Sequence, residues 1–342
     1  PTPQGWALPQ FTLTRMYIDL HLLQRAIRAR YGAEMTVLRW IENREDEAQK
    51  TVHGLWLMEN HTPDWTPPEG ARWIDGAELA ALPLADEAQR APLMRTLHEL
   101  AQPEPATRLP WMRRGWFKEA QAWTRQTLEA LGYTLSSEAE QFKVFSISAL
   151  LRTETTQGLL FFKVAIDLPL FCHEPKMMQT LGALLPEHIP APLAIDETRR
   201  WMLSSDYGTM IRGSTPDPSA EMLTEIVRAY AALQIATSSL HETLFAAGCF
   251  DRRLPTLMRQ IDELLADEEG QAALADEDER ARWIACGPAL HALCERLAQY
   301  RIPDTLVHGD FHGGNVTRRA DGGFYFFDWT DACIAHPFFD LP

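Results

Sequence analysis

The stretch at residues 306–316, LVHGDFHGGNV, constrains this chain more than any other part of its sequence. It places a histidine, an aspartate and an asparagine within eight residues, between apolar anchors. Just downstream, residues 324–329 (FYFFDW) predict a buried strand that ends on the carboxylate of Asp328. Asp, Asn and Gly are common turn formers, so each of these residues alone would fit an ordinary loop. The complete set, with a carboxylate at the end of a strand, indicates a functional site instead.

Phosphoryl transfer is the chemistry that needs this set of side chains. One aspartate must accept or orient the proton of the attacking hydroxyl, and Asp310 is placed for that role. An asparagine and a second aspartate must hold the magnesium ions that bridge the phosphates, which suits Asn315 and Asp328. The step from Asp310 to Asn315 also has the kinase spacing D-x-x-x-x-N. The sequence therefore predicts a phosphotransferase.

The pattern H-G-D-x-H-x-x-N, followed by a strand and D-W, resembles the aminoglycoside phosphotransferase family, whose members are related to the protein kinases. The resemblance covers about two thirds of the chain. It implies an α+β, protein-kinase-like fold with two lobes, and it implies ATP and Mg²⁺ as cofactors. It also implies that Asp310 is the catalytic base and that His308 braces the loop by hydrogen bonding.

The resemblance extends to residues that would hold the nucleotide. Lys163, in the strand-like run FFKV, stands where the family places the lysine that pairs with the α- and β-phosphates. Glu174, at the start of a predicted helix, is the candidate acidic partner of that lysine, and Glu187 is the alternative. An exposed, solvated lysine on a strand is the competing interpretation of Lys163.

Two further segments are expected to contact the nucleotide. No G-x-G-x-x-G lies between the first two predicted strands, and the turn there contains Ser146 and Ser148, whose hydroxyl or backbone groups can still donate to phosphate. The apolar run that ends at Ser205 and Asp206 stands where the family places the hinge whose backbone binds adenine.

The order of predicted elements suggests three parts. Residues 1–105 form a small α/β module that resembles the end of a Nudix domain but lacks the catalytic Nudix box. It contains an amphipathic helix that closes near Gly32, and strands at 36–41 and 53–59 around a charged turn at 42–50. Residues 115–210 form an N-lobe with a preceding helix. Residues 211–342 form a C-lobe with helices at 220–246, 255–266 and 277–300, which we expect to be truncated at its C-terminus.

The amino-acid composition restricts the classes of partner that the protein is expected to bind. The net charge of −15 argues against nucleic acid, because binding the phosphate backbone requires a basic surface. It is compatible with a cationic substrate, although acidity more often serves solubility. No apolar run reaches the ~18 residues of a membrane span, and residues 1–6 do not resemble a signal peptide. Five scattered cysteines without a C-x-x-C pair favour the reducing cytoplasm. The oligomeric state stays open.

The predicted function is ATP- and Mg-dependent transfer of a phosphate to a hydroxyl group of a small molecule. The alternative is a nucleotide-binding regulatory pseudokinase with little turnover, which the missing glycine loop and the additional N-terminal module favour. A protein kinase is less compatible, because the interval between Asp328 and His336 leaves no room for an activation loop. The identity of the substrate cannot be deduced from the motif, since relatives with it phosphorylate antibiotics, choline-like alcohols, sugars and homoserine.

Overall fold

The computed structural model describes residues 5–13, 19–47, 50–169, 171–212 and 217–340. The chain divides into two compact units, Pro1–Ile166 and Asp167–Pro342. Both units combine helices with strands, so the predicted α+β class is confirmed. The functional division with boundaries near residues 105 and 210 stays a prediction.

The helices and strands of the first unit follow one another in a simple order. They are α1 (Leu20–Tyr31), β1 (Met35–Asp46), β2 (Thr51–Asn60), α2 (Gly76–Ala81), α3 (Arg90–Leu100), α4 (Trp116–Ala130), β3 (Glu140–Val144), β4 (Ser148–Thr155) and β5 (Gly158–Ala165). Strands β1 and β2 form an antiparallel hairpin, and β3, β4 and β5 form an antiparallel meander.

Strands β1 and β2 are longer than the sequence predicted. The charged residues 42–46 were expected in a turn, but they pair with residues 51–55 in the antiparallel ladder. The expectation was wrong because charged side chains are compatible with a strand whose side chains face solvent, and residues 43–45 are exposed. Helix α1 ends at Tyr31 before Gly32, whose φ of 63° is the left-handed cap conformation, as predicted.

Helix α4 packs against the meander through aromatic side chains. Trp116 and Trp123 contact Phe162 of β5 edge to face, with ring centroids 5.9 and 5.8 Å apart. Phe162 is fully buried. Edge-to-face pairs of this kind add about 0.5–1.5 kcal/mol to the free energy gained by burying the rings. Nearby, the indole N–H of the buried Trp111 donates to the carbonyl of Phe145 at 2.8 Å.

Gln141 joins the hairpin to the meander inside the first unit. Its side chain binds both backbone groups of Val37, accepting from the N–H at 2.7 Å and donating to the carbonyl at 2.8 Å. Its own backbone N–H donates to the side chain of Gln24 on α1 at 2.7 Å. Gln141 is 1% exposed, so these bonds form away from water. Residues on both sides of the predicted boundary near residue 105 therefore pack in one interior.

The second unit carries more helix. Its elements are α5 (Glu174–Leu184), β6 (Ala194–Asp196), β7 (Trp201–Ser205), α6 (Ala220–Thr237), α7 (His241–Ala246), β8 (Phe250–Asp251), α8 (Leu254–Leu265), α9 (Glu268–Ala272), α10 (Glu277–Ala285), α11 (Gly287–Gln299), β9 (Thr305–Val307), β10 (Val316–Arg318), β11 (Phe324–Phe326) and β12 (Cys333–Ala335). Its core includes Met177 and Leu181 of α5, Leu233 of α6, and the fully buried Phe326 and Trp329.

Two predicted helices of the second unit are interrupted. The helix predicted at 220–246 breaks after Thr237, where the hydroxyl of Ser238 donates to the carbonyl of Ile235 and competes with the helical pattern. The helix predicted at 277–300 breaks at Cys286, because Pro288 lacks an N–H and begins a new helix in its first turn. Among the helices that the structure describes, none is long and apolar enough to cross a bilayer.

The substitution Gln141→Ala should lower the free energy of unfolding by about 2–4 kcal/mol, because each buried backbone group left without a partner costs about 1–3 kcal/mol. Gln157→Ala is the matched control. Its side chain also binds two backbone groups, the N–H of Thr134 and the carbonyl of Gly132, but Gln157 is exposed and water can replace it. We expect Gln157→Ala to lower the free energy of unfolding by less than about 1 kcal/mol. Equal losses in urea denaturation would contradict this account of the first unit.

Candidate active site

The loop at residues 308–315 connects strands β9 and β10. Strand β9 pairs antiparallel with β12, which also pairs parallel with β8. Strand β10 pairs antiparallel with β11. All three residues of β9 are buried, as are the first two of β10. The loop is therefore fixed at both ends by buried strands, and its polar residues lie between them.

The buried imidazole of His308 joins this loop to the segment after β11. Its Nδ1 accepts from the backbone N–H of Asp310 at 3.4 Å, so in the neutral ring the proton lies on Nε2. Nε2 then donates to the carbonyl of Phe327 at 2.9 Å. Burial is the main cause that lowers the pKa of His308, which favours this neutral form. His308 thus links the loop to Phe327 by hydrogen bonds, and its role in the reaction stays a prediction.

Asp310 and Asn315 lie in contact. The Asn315 amide Nδ2 donates to the Asp310 carbonyl at 3.0 Å and to the Asp310 carboxylate Oδ2 at 3.2 Å. Asn315 is 6% exposed, whereas the side chain of Asp310 is 54% exposed. The Asp310 carboxylate is thus hydrogen-bonded by the buried amide of Asn315 and remains partly exposed to solvent.

His312, a residue with no role predicted from the sequence, also lies close to the carboxylate of Asp310. Its Nδ1 accepts from the backbone N–H of Gly314 at 2.8 Å, which leaves the proton of the neutral ring on Nε2. Nε2 lies 3.4 Å from Asp310 Oδ2. The signal was available in the motif, which contains a second histidine two residues after the aspartate.

Asp328 lies beyond strand β11 and not at its end. The strand stops at Phe326, opposite Val316, and the next N–H, that of Phe327, donates to the Asn315 carbonyl at 3.1 Å. The prediction of a strand that ends on Asp328 was wrong, because Asp328 has φ of 68° and cannot continue an extended ladder. Its carboxylate accepts from the hydroxyl of Thr330 at 3.0 Å. Non-glycine residues with this left-handed backbone conformation occur often at functional sites.

The buried carboxylate of Asp340 holds the start of the loop, a role that no sequence pattern indicated. It accepts from the backbone N–H groups of His308 at 2.7 Å and Gly309 at 2.8 Å, and also from the hydroxyl of Tyr230. Burial, followed by the charge of Asp340, raises the pKa of Tyr230, so the phenol stays a donor. Gly309 has φ of 81°, and a Cβ there would lie 2.5 Å from the Asp331 carbonyl oxygen, so only glycine fits.

Six predicted nucleotide-binding residues lie outside this loop, and their roles stay predictions. In the first unit, Lys163 lies on β5 opposite Leu150, and Ser146 lies in the exposed turn between β3 and β4. Ser148 was expected in that turn, but it is the first residue of β4 and is buried, because its backbone pairs with Ala165.

In the second unit, Glu174 opens helix α5 and is 2% exposed, with Pro175 in the first turn. Ser205 ends β7, and the Asp206 side chain accepts from the N–H of Gly208 at 2.9 Å in a tight turn.

The donor atoms near Asp328 suit a magnesium ion. Magnesium prefers oxygen ligands and is usually held by one or two carboxylates together with substrate phosphates. Because Asn315 commits its Nδ2 to Asp310, its Oδ1 is the remaining atom of the amide and is a hard oxygen donor. Among the described residues, no group of three His, Cys, Asp or Glu side chains is placed to form a metal site from protein ligands alone.

Comparison with known proteins agrees with the motif. The model of the phosphotransferase enzyme family matches residues 172–341, which include the complete loop and Asp328. The resemblance inferred from the sequence is thereby confirmed. A comparison with curated proteins gave no significant match.

Several solved structures are similar to this chain at low sequence identity. A macrolide 2′-phosphotransferase type I is 12% identical, with 67% of this chain and 76% of that chain covered and a TM-score of 0.44. A choline kinase from Streptococcus pneumoniae is 13% identical, with 63% and 70% covered and a TM-score of 0.43. A Plasmodium vivax ethanolamine kinase is 12% identical, with 73% and 70% covered and a TM-score of 0.45.

The lowered pKa of His308 predicts a pH-dependent stability. The unfolded ring takes up a proton below its ordinary pKa of 6.5, whereas burial opposes protonation in the folded state. This contribution is therefore present above pH 6.5 and is lost as the pH falls, with a slope of up to about 1.4 kcal/mol per pH unit. His308→Gln cannot titrate, so its unfolding free energy should decline less between neutral and acidic pH. Parallel profiles of wild type and variant would exclude this assignment.

Asp340→Asn should destabilise the protein by about 2–3 kcal/mol, because an amide oxygen cannot accept from all three donors and one is left buried without a partner. Asp321→Asn is the control. Asp321 is exposed and accepts from Gly323 and Arg319, so we expect a loss below about 1 kcal/mol there. Thermal and urea denaturation measure both variants, and similar losses would show that Asp340 does not anchor the loop.

Proposed function

Since residues 172–341 belong to the phosphotransferase enzyme family, we propose that the protein is an ATP- and Mg²⁺-dependent kinase of small molecules. It transfers the γ-phosphate of ATP to a hydroxyl group of its substrate. The observation that carries this proposal is the contact of Asp310 with Asn315, in which a buried amide orients an exposed carboxylate. A general base needs a fixed position and access to its substrate, and this pair supplies both.

Asp310 is proposed to orient the attacking hydroxyl and to accept its proton. Its Oδ2 is near Asn315 Nδ2 and His312 Nε2, at 3.2 and 3.4 Å. The hydrogen bond from Asn315 and the adjacent imidazole restrict rotation of the carboxylate, and Oδ1 is proposed to accept from the substrate hydroxyl. In phosphoryl transfer such positioning, together with neutralisation of charge, supplies most of the catalysis.

Asn315 and Asp328 are proposed as the magnesium ligands. The ion, when bound, bridges phosphate oxygens and neutralises the charge that moves toward the leaving group. The Phe327 N–H bonds to the Asn315 carbonyl, and this ties the segments that carry the two ligands to each other. The left-handed conformation of Asp328 aims its side chain differently from a residue in a continuing strand.

The remaining nucleotide contacts are proposed from the family pattern. Lys163 and Glu174 form the clamp on the α- and β-phosphates, and a backbone N–H or the hydroxyl of Ser146 donates to phosphate. Ser148 contributes through its backbone, since its side chain is buried. The chain at Ser205 and Asp206 binds the adenine. All five cysteines are free, which suits a reducing cytoplasm.

Coupled measurement of ADP release tests the function directly. The purified protein is given ATP and Mg²⁺ with a panel of hydroxylated metabolites and antibiotics, including cationic alcohols. We expect many turnovers with at least one acceptor class, with a dependence on Mg²⁺. Tight binding of nucleotide without turnover on any acceptor would favour the regulatory pseudokinase instead.

Asp310→Asn and Asp328→Asn should fail in different ways. Asp310→Asn removes the proton acceptor, so kcat should fall by about 10²–10⁴ while the affinity for Mg–ATP stays near normal. Asp328→Asn removes charge from the metal site and should weaken Mg–ATP binding as well as turnover. Asp304→Asn removes a carboxylate just before β9 and serves as the control with little effect on either quantity. Calorimetric titration and steady-state kinetics separate these effects, and the opposite pattern would reverse the two roles.

A further inference from the structure

A polar cavity of about 410 Å³ lies within the first unit, and none of its lining residues has a role in the reaction proposed above. Its volume is within the range of about 300–1,000 Å³ that is usual for small-molecule sites. Helices α1 and α4 form two walls, and the start of β1 and the residues before β3 form the rest. The residues that argue for a ligand are Gln24, Thr36, His61, Lys118 and Gln121.

The floor of the cavity consists of buried polar side chains that other groups hold in place. Gln24 is 4% exposed, and its side chain donates to the Met35 carbonyl at 3.2 Å and accepts from the Gln141 N–H at 2.7 Å. Gln121 is 8% exposed and donates to the Ala139 carbonyl at 2.9 Å. Because backbone groups fix these amides, the floor is preorganised and does not need to be ordered by a ligand.

His61 and Thr36 complete the floor without adding charge. Their side chains lie 2.8 Å apart, between His61 Nε2 and Thr36 Oγ1. Burial, followed by the charge of Lys118, lowers the pKa of His61 to about 4, so the ring is neutral at neutral pH. Glu59 beside it accepts from the backbone N–H of Gly115 at 2.9 Å. These groups are thus committed to neighbours in the protein.

The carboxylates that line the cavity each have an arginine partner. The pairs are Arg28 with Glu34, Arg125 with Glu138, and Arg25 with Glu140. An incoming cation would have to compete with an arginine for any of them. The lining therefore offers no free acidic group to a positively charged ligand.

Lys118 differs from these arginines. Its ammonium donates to the side-chain oxygen of Gln121 at 3.1 Å, and within the described part of the chain it forms no ion pair with a carboxylate. An ammonium has three donors, so it can bind an anion without giving up Gln121. Its side chain is exposed, so the ammonium is accessible to an anion from solvent and can form a charge-assisted hydrogen bond with it.

We propose that this cavity binds a small organic or inorganic anion, with its carboxylate or phosphate group on Lys118 and its polar body against Gln24, Thr36 and Gln121. The site is separate from the transfer of phosphate, so the first unit has a ligand of its own. A carboxylate and a phosphate present the same chemistry to one ammonium, and the choice between them is a result of the test.

Calorimetric titration of the full-length protein tests the proposal with two anionic probes, succinate and inorganic phosphate. Succinamide and choline serve as the neutral and the cationic probe. Lys118→Gln should weaken anion binding about tenfold or more. Arg95→Gln is its matched control, because Arg95 is exposed on α3 and does not line the cavity, so it loses one positive charge elsewhere.

A second pair of variants tests the location. Ser137→Phe places a ring into the cavity lining and should abolish binding, whereas Ser136→Phe puts the same ring on the exposed neighbour and should preserve it. Circular dichroism checks that both variants fold. Saturable binding of either anion that follows this pattern supports the proposal. Absence of binding by both anions up to roughly 10 mM, binding that Lys118→Gln leaves unchanged, or comparable binding of choline would overturn it.

Discussion

The carboxylate of Asp340 is the interaction on which the arrangement of the loop depends. It accepts from two consecutive backbone N–H groups and from Tyr230, all in a buried environment. Strand β9 ends at Val307, so the backbone N–H groups of His308 and Gly309 need acceptors outside the ladder; Asp340 accepts from both, and the Tyr230 hydroxyl also accepts from His308. The Asp340 carboxylate thus accepts the hydrogen bonds that a neighbouring strand would accept within a sheet. It sets the direction in which the chain leaves His308.

From that fixed point, short contacts determine the remaining geometry. The neutral ring of His308 bonds to the Asp310 N–H on one side and to the Phe327 carbonyl on the other. Asn315 then bonds to both oxygens that Asp310 offers, the carbonyl and the carboxylate. These hydrogen bonds are made by partly or fully buried groups, so breaking them in another conformation of the loop would cost free energy. Strain remains at Asp328, whose left-handed backbone costs of order 1–3 kcal/mol and is maintained by the structure around it.

In the first unit, glutamine side chains join elements that do not pair as neighbouring strands in one sheet. Gln141 binds both backbone groups of Val37, and Gln24 binds the N–H of Gln141. Amides can donate and accept at once, so they can join elements that do not meet in a regular ladder. Because glutamine side chains and not close-packed strands join these elements, a cavity with a polar floor remains between α1 and α4. The packing that joins the N-terminal elements to β3 and the cavity that could hold an anion therefore have one physical origin.

The sequence by itself determined the local parts of this protein. The spacing of Asp310 and Asn315 placed an amide against a carboxylate, the glycine at 32 ended α1, and the motif identified the family, because these features depend on a few neighbouring residues. Tertiary structure decided the rest. Asp340 could not be recognised, since its importance comes from loop donors 31 and 32 positions away. The position of Ser148 in β4 likewise follows from its pairing with Ala165, a residue distant in sequence, which no local pattern specifies.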